Sequence, residues 1–256
     1  MIAALGMYDR AETAGANDRL WMLIRDGLRD RGFEAPDALT RGDLAYMPGW
    51  TSPDLLLSQT CGLPFRARLH DQVTLIGTPD YGVEGCPPGF YRSVLVARAD
   101  DRRNDLGKFA GARLAYNDGL SQSGWAAPLA RAAALGLRFG ETLETGGHRL
   151  SMLAVAEGRA DVAALDAVTW RLLQRWEPAS AQVKVVGLTD PTPGLPLISR
   201  AGASVQAIFA AVSAAIAALS PEDRDTLCLK GLVSIPVADY LALPLPPTPA
   251  QYAQGH

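Results

Sequence analysis

Short apolar runs alternate with stretches of one-sided spacing along most of the chain. Residues 2–7 form a nearly unbroken apolar run that predicts a strand buried on both faces. Residues 17–31 put Leu20, Leu23, Ile24, Gly27 and Leu28 on one helical face ahead of Gly32, which predicts a helix that stops there. Runs at 55–57, 73–77 and 93–97, bounded by Gly, Pro or Asp, predict further buried strands. From residue 113 the order is regular: strand 113–116, loop 117–124, helix 124–135, strand 141–145, helix 149–157, strand 162–165, helix 168–176, strand 183–188. Strict alternation of this kind implies parallel, doubly wound sheets. Pro191, Pro193 and Pro196 then predict a crossing segment, two helices follow at 204–219 and 221–228, and the proline-rich end, 243–256, is expected to be extended or frayed.

Composition narrows the class. With 256 residues, 48% hydrophobic and 20% charged, the chain can bury a core, and disorder is excluded. A net charge of -3 and an isoelectric point near 5.6 supply no general attraction to nucleic acid or an anionic membrane, so an anionic ligand must be recognised locally. The alanine-rich stretch 205–219 is too short to span a bilayer, and residues 1–21 lack the basic, apolar and small-residue regions of a secretory leader. The sequence as it stands therefore reads as soluble and cytoplasmic, or as periplasmic if a leader has been removed. Cys61, Cys86 and Cys228 have no zinc-type spacing; free thiols are expected, with a Cys61–Cys86 bridge open in an exported protein.

Parallel sheets present ligands at the carboxyl ends of their strands. Polar groups follow the strands at four places. Ser121, Gln122, Ser123 and Gly124 open a helix, whose first-turn amides and dipole suit an oxyanion; either serine can also serve simply as an N-cap. Gly146 and Gly147 allow close backbone approach before His148, whose imidazole can donate to a ligand or sit at the surface. Asp166 follows a strand directly and can accept from a protonated ligand or cap the next helix. Gln59, Thr60, Tyr8 and Tyr91 offer hydroxyl, amide and aromatic walls, while Trp125 and Trp170 suit core packing better than a pocket wall. Nucleophile-elbow, zinc-protease, phosphate-loop and dinucleotide motifs are all missing, so no cofactor and no metal is expected.

Several segments in order resemble one family: residues 55–62 (LLLSQTCG), 89–96 (GFYRSVLV) with Asp100, 121–124 (SQSG), 145–148 (TGGH), and 158–162 (GRADV) leading to Asp166. The chain is similar to the phosphate/phosphite/phosphonate-binding proteins of ABC transporters, from its first strand to about residue 198. The resemblance implies an α/β, two-lobed periplasmic-binding-protein-like fold, each lobe a mostly parallel sheet flanked by helices. Lobe one would be 1–94 plus 195–256 and lobe two 95–194, joined by two crossing segments with a ligand cleft between. It also implies that the serine turn wraps a phosphonate or phosphate group while Tyr91, His148 and Asp166 add hydrogen bonds. The implied partners are a small anion and the membrane component of an ABC transporter, served by a monomer. An enzyme on the same scaffold using His148, Asp166 or Cys61 is the competing expectation, and a sensor that signals through a partner is a third.

Overall fold

The expected strands form where the apolar runs are, because these segments can satisfy their backbone only by pairing inside a sheet. The strands are β1 (Ile2–Ala4), β2 (Leu55–Gln59), β3 (Val73–Asp80), β4 (Phe90–Tyr91), β5 (Ser93–Arg98), β6 (Leu114–Tyr116), β7 (Thr142–Glu144), β8 (Val162–Asp166), β9 (Val183–Leu188), β10 (Thr192–Pro193), β11 (Leu197–Arg200) and β12 (Gly231–Val233), of which β4, β10, β11 and β12 were not among those expected. The helices are α1 (Ala14–Arg29), α2 (Met47–Trp50), α3 (Gly62–Pro64), α4 (Ala127–Ala134), α5 (His148–Ala156), α6 (Ala167–Trp176), α7 (Val205–Ala218), α8 (Pro221–Thr226), α9 (Val237–Leu241) and α10 (Pro249–Gln254). The structure is a computed structural model and describes residues 1–255. Among the described residues, no helix is long and apolar enough to cross a membrane.

The chain divides into two units: Met1–Phe90 with Pro193–Leu243, and Tyr91–Thr192 with the residues from Pro244 onward. The sequence placed the switches at 94/95 and 194/195 and kept the tail in the first lobe. The tail instead belongs with the second unit, which adds a third passage of the chain.

The first unit holds a five-stranded sheet of order β1-β2-β11-β3-β12. Leu20, Ile24 and Leu28 of α1 meet Ile208, Val212 and Ile216 of α7 in its main core. Leu23, expected on that face, is 37% exposed, and Trp21 takes its place at 1%. Removing these aliphatic and aromatic side chains from water supplies the unit's main drive to fold, roughly 1.5–3 kcal/mol for each fully buried one.

The second unit holds a sheet of order β7-β6-β8-β5-β9. β6 runs parallel to β7 and β8, as the βαβ pattern predicts. Strict parallelism nevertheless fails in both sheets. β5 lies antiparallel between β8 and β9, and β11 lies antiparallel between β2 and β3. Each follows a passage from the other unit, so no crossover helix inside its own sheet dictates its direction. β12 is a further antiparallel strand, on β3.

The tail is ordered rather than frayed over its described residues, and residue 256 lies outside them. Thr248 and Gln251 form a reciprocal capping box that starts α10, and Tyr252 is buried in the core of the second unit.

Candidate functional site

In the second unit the loop after β6 turns at Ser121, whose hydroxyl oxygen accepts from the Gly124 amide at 2.9 Å. The Trp125 and Ala126 amides both donate to the Ser121 carbonyl, at 3.2 and 3.1 Å, so the turn over 122–126 is wound wider than an α-helix before α4 begins. Of the two candidate caps, Ser121 is the one that acts. Gly124 leaves room for the Asn117 side chain, because a Cβ there would lie 1.8 Å from Asn117 Oδ1 and 3.2 Å from Ser121 Oγ.

Ser123 sits at the centre. Its carbonyl accepts from Ser93 Oγ at 2.8 Å, and its hydroxyl lies 3.0 Å from His148 Nε2 and 3.5 Å from Ser121 Oγ. Ser93 opens β5 and is anchored through its own amide, which donates to Thr189 Oγ1 at 2.9 Å. Ser121, Gln122 and Ser123 are buried.

His148 is delivered by the link between β7 and α5. Gly146 adopts φ +83°, a left-handed conformation that suits glycine, and Thr145 Oγ1 donates to the Tyr116 carbonyl at 3.0 Å while lying 2.7 Å from Ser151 Oγ. These bonds tie the His148 loop to the end of β6. The ring is half-buried, and desolvation pushes its pKa down to about 4; the Ala164 carbonyl opposes this weakly, without closing a hydrogen bond of good geometry on Nδ1. Near neutral pH the imidazole is uncharged.

Asp166 ends β8 and is the ladder partner of Ser93. One of its oxygens accepts from the Val168 and Thr169 amides at 2.8 and 2.9 Å, so it caps α6, and the residue is 2% exposed. Asp166→Ala should cost about 1–2 kcal/mol of stability in urea titration, whereas Asp166→Asn should retain the cap. Equal losses for the two variants would show that capping is not what the carboxylate contributes.

The structure thus gathers Ser121, Gln122, Ser123, Gly124 and His148, with Asp166 on the neighbouring strand and Tyr91, also buried, two residues ahead of Ser93. The remaining candidates lie in the first unit. Tyr8 makes an edge contact with Tyr81 at 5.0 Å, and Gln59 Nε2 donates to the Tyr81 hydroxyl at 2.9 Å. Tyr8, Gln59 and Tyr81 line a mainly aliphatic pocket of that unit. Thr60 is fully buried, its amide donating to Pro196 O at 2.9 Å. Cys61 and Cys86 are not joined by a disulfide, so the bridge left open in the sequence is not formed. Trp125 and Trp170 are buried, as their size suggested. The described residues include no cluster of metal ligands. Sequence reasoning missed Ser93, Asn117, Thr145 and Ser151. A lone serine heading an otherwise apolar strand was the available signal for Ser93; the others become visible only through their partners.

Residues 57–238 match the family described as the periplasmic substrate-binding proteins of phosphonate ABC transporters. The chain belongs to this family. No curated protein matches it. Among solved structures it is similar to PhnD1 from Prochlorococcus marinus in complex with methylphosphonate, at 16% identity, 93% coverage of each chain and a TM-score of 0.73. It is similar to XAC2383 from Xanthomonas citri bound to chloride, at 15% identity, 100% and 96% coverage and a TM-score of 0.69. It is also similar to a binding protein component of an ABC phosphonate transporter from Pseudomonas aeruginosa, at 17% identity, 94% and 82% coverage and a TM-score of 0.65. At these identities the similarity establishes the two-lobed binding-protein fold, into which the family member's serine turn and histidine loop are built.

Proposed function

We propose that this protein reversibly binds a small phosphonate-like or phosphate-like anion on the Ser121–Gly124 turn and delivers it, as a periplasmic monomer, to the membrane component of an ABC transporter. The observation that carries the reading is the 3.0 Å contact between Ser123 Oγ and His148 Nε2 beside the amides that open the turn. Protonated at Nε2, the ring donates to Ser123 Oγ and leaves the Ser123 hydroxyl proton for an anion oxygen; protonated at Nδ1, toward the Ala164 carbonyl, it accepts that proton instead, and an incoming anion must draw the ring into the first form. Amides at the head of a helical segment add partial positive charge without a side-chain cation. Membership of a phosphonate-binding family and the methylphosphonate bound to PhnD1 from Prochlorococcus marinus point to the same ligand chemistry.

A serine beside a histidine also suits nucleophilic catalysis. An imidazole whose pKa lies near 4 is a weak general base at neutral pH, however, and one Asp166 oxygen is taken up as a helix cap. The balance favours binding without turnover.

Calorimetry with methylphosphonate, phosphate, phosphite and methanesulfonate tests the ligand class. Ser123→Ala should weaken the best ligand about tenfold, the loss of one hydrogen bond to a charged group. Absence of binding to all four at millimolar concentration would reject the reading.

A further inference from the structure

Residues 247–252 pack against the serine turn. Trp125 directly follows Gly124, is 0% exposed, and donates from Nε1 to the Pro247 carbonyl at 2.8 Å. Its ring lies against Tyr116 at 4.6 Å, where β6 ends, and meets Tyr252 of α10 edge-on at 5.4 Å. Tyr252 is held in turn: its hydroxyl donates to Phe139 O at 3.1 Å, the Arg138 guanidinium lies 3.9 Å from its ring centre, and Arg138 also donates to its carbonyl. The same segment meets the loop before the turn, since a Cβ on Gly119 would come within 2.7 Å of Pro249 Cγ. Gly119 and Trp125, on either side of the turn, are therefore both contacted by residues 247–252.

We infer that residues 244–255 act as a strap that positions the anion-binding turn, with Tyr252 and Pro247 holding Trp125 so that Ser123 and Gly124 keep their geometry. The strap makes no contact with the ligand in this scheme; it raises affinity by removing alternative conformations of the turn before the anion arrives. The inference rests on the function proposed above for Ser121–Gly124.

The test uses full-length variants, with methylphosphonate as probe and thermal melting on the same samples. Tyr252→Ala, which removes the ring from Trp125, should weaken methylphosphonate about tenfold at a temperature where the variant is folded. Tyr252→Phe keeps the ring, loses only the hydroxyl bond to Phe139, and should bind within about twofold of the parent. Trp125→Phe keeps an aromatic ring but loses the donation to Pro247; it replaces Tyr252→Ala if that variant does not fold, and should bind about threefold more weakly. Hydrogen exchange provides the readout that a purely stabilising tail would not move: the Gly124, Trp125 and Ala126 amides should exchange faster in Tyr252→Ala while those of β8 keep their rates. A folded variant lacking the ring that binds methylphosphonate as tightly as the parent overturns the inference. If the parent protein binds none of the anions, the proposed function fails, and the positioning role is then decided by exchange alone: unchanged rates at Gly124, Trp125 and Ala126 reject it.

Discussion

Replacing His148 with glutamine should make the protein more resistant to mild acid. Burial holds the imidazole near pKa 4 in the folded chain, against about 6.5 when it is exposed by unfolding. Above pH 6.5 both states carry a neutral ring and the histidine imposes no penalty. Between pH 6.5 and 4 the unfolded chain binds a proton that the folded chain does not, so stability falls as pH falls, and the loss is complete once the folded ring also titrates. The full effect is about 3 kcal/mol, from 2.5 pH units at about 1.4 kcal/mol each. The carboxylates act in a lower window: Asp101, held at about 2 chiefly by its hydrogen bonds from Arg103, and Asp223, lowered chiefly by Arg19, begin to lose their contribution only as pH drops below about 3.8. Urea titrations at pH 7, 5.5 and 4.5 would therefore show a slope in the parent protein that is flattened in His148→Gln. Identical slopes in the two proteins would mean that His148 is not held neutral.

The second large effect is expected at Gly124. An alanine methyl there would overlap the Asn117 carboxamide oxygen at 1.8 Å, far inside any real contact, and would crowd Ser121 Oγ at 3.2 Å. Either Asn117 leaves its place or the turn unwinds, and both disturb the amides and hydroxyls that would face the anion. Overpacking a buried site costs about 1–3 kcal/mol, and at the upper end the loss in methylphosphonate affinity is about 100-fold. The double change Gly124→Ala with Asn117→Ala removes the overlapping oxygen and should recover most of that loss. Asn117 Oδ1 is buried without a hydrogen-bond partner, so Asn117→Ala by itself should alter stability by less than about 0.5 kcal/mol. Binding by Gly124→Ala equal to the parent would show that the turn yields without consequence and that its geometry does not set affinity.

Much of the fold was legible because the periodicities were clean. β9 at Val183–Leu188 carries the residues expected of it, and the helices expected at 168–176 and 204–219 appear as Ala167–Trp176 and Val205–Ala218. The serine turn and the histidine loop were legible for a related reason: each lies between a strand and a helix, a position that sequence alone can locate. Their chemistry was not. Nothing in the sequence chose Ser121 over Ser123 as the cap, and the sequence left Asp166 divided between capping the next helix and accepting from a ligand until the Val168 and Thr169 amides were seen on its oxygen.

Local pattern determined the element types and the alternation of strands and helices, because apolar periodicity is a property of neighbouring residues, and the family came from the resemblance of short segments in a shared order. Tertiary structure alone decided the antiparallel insertion of β5 and β11, the docking of the proline-rich tail under Trp125, and the meeting of Ser123 with His148. Each of these joins residues far apart in the chain, and the energies that select them come from packing, desolvation and hydrogen-bond geometry that exist only once the sheet has formed.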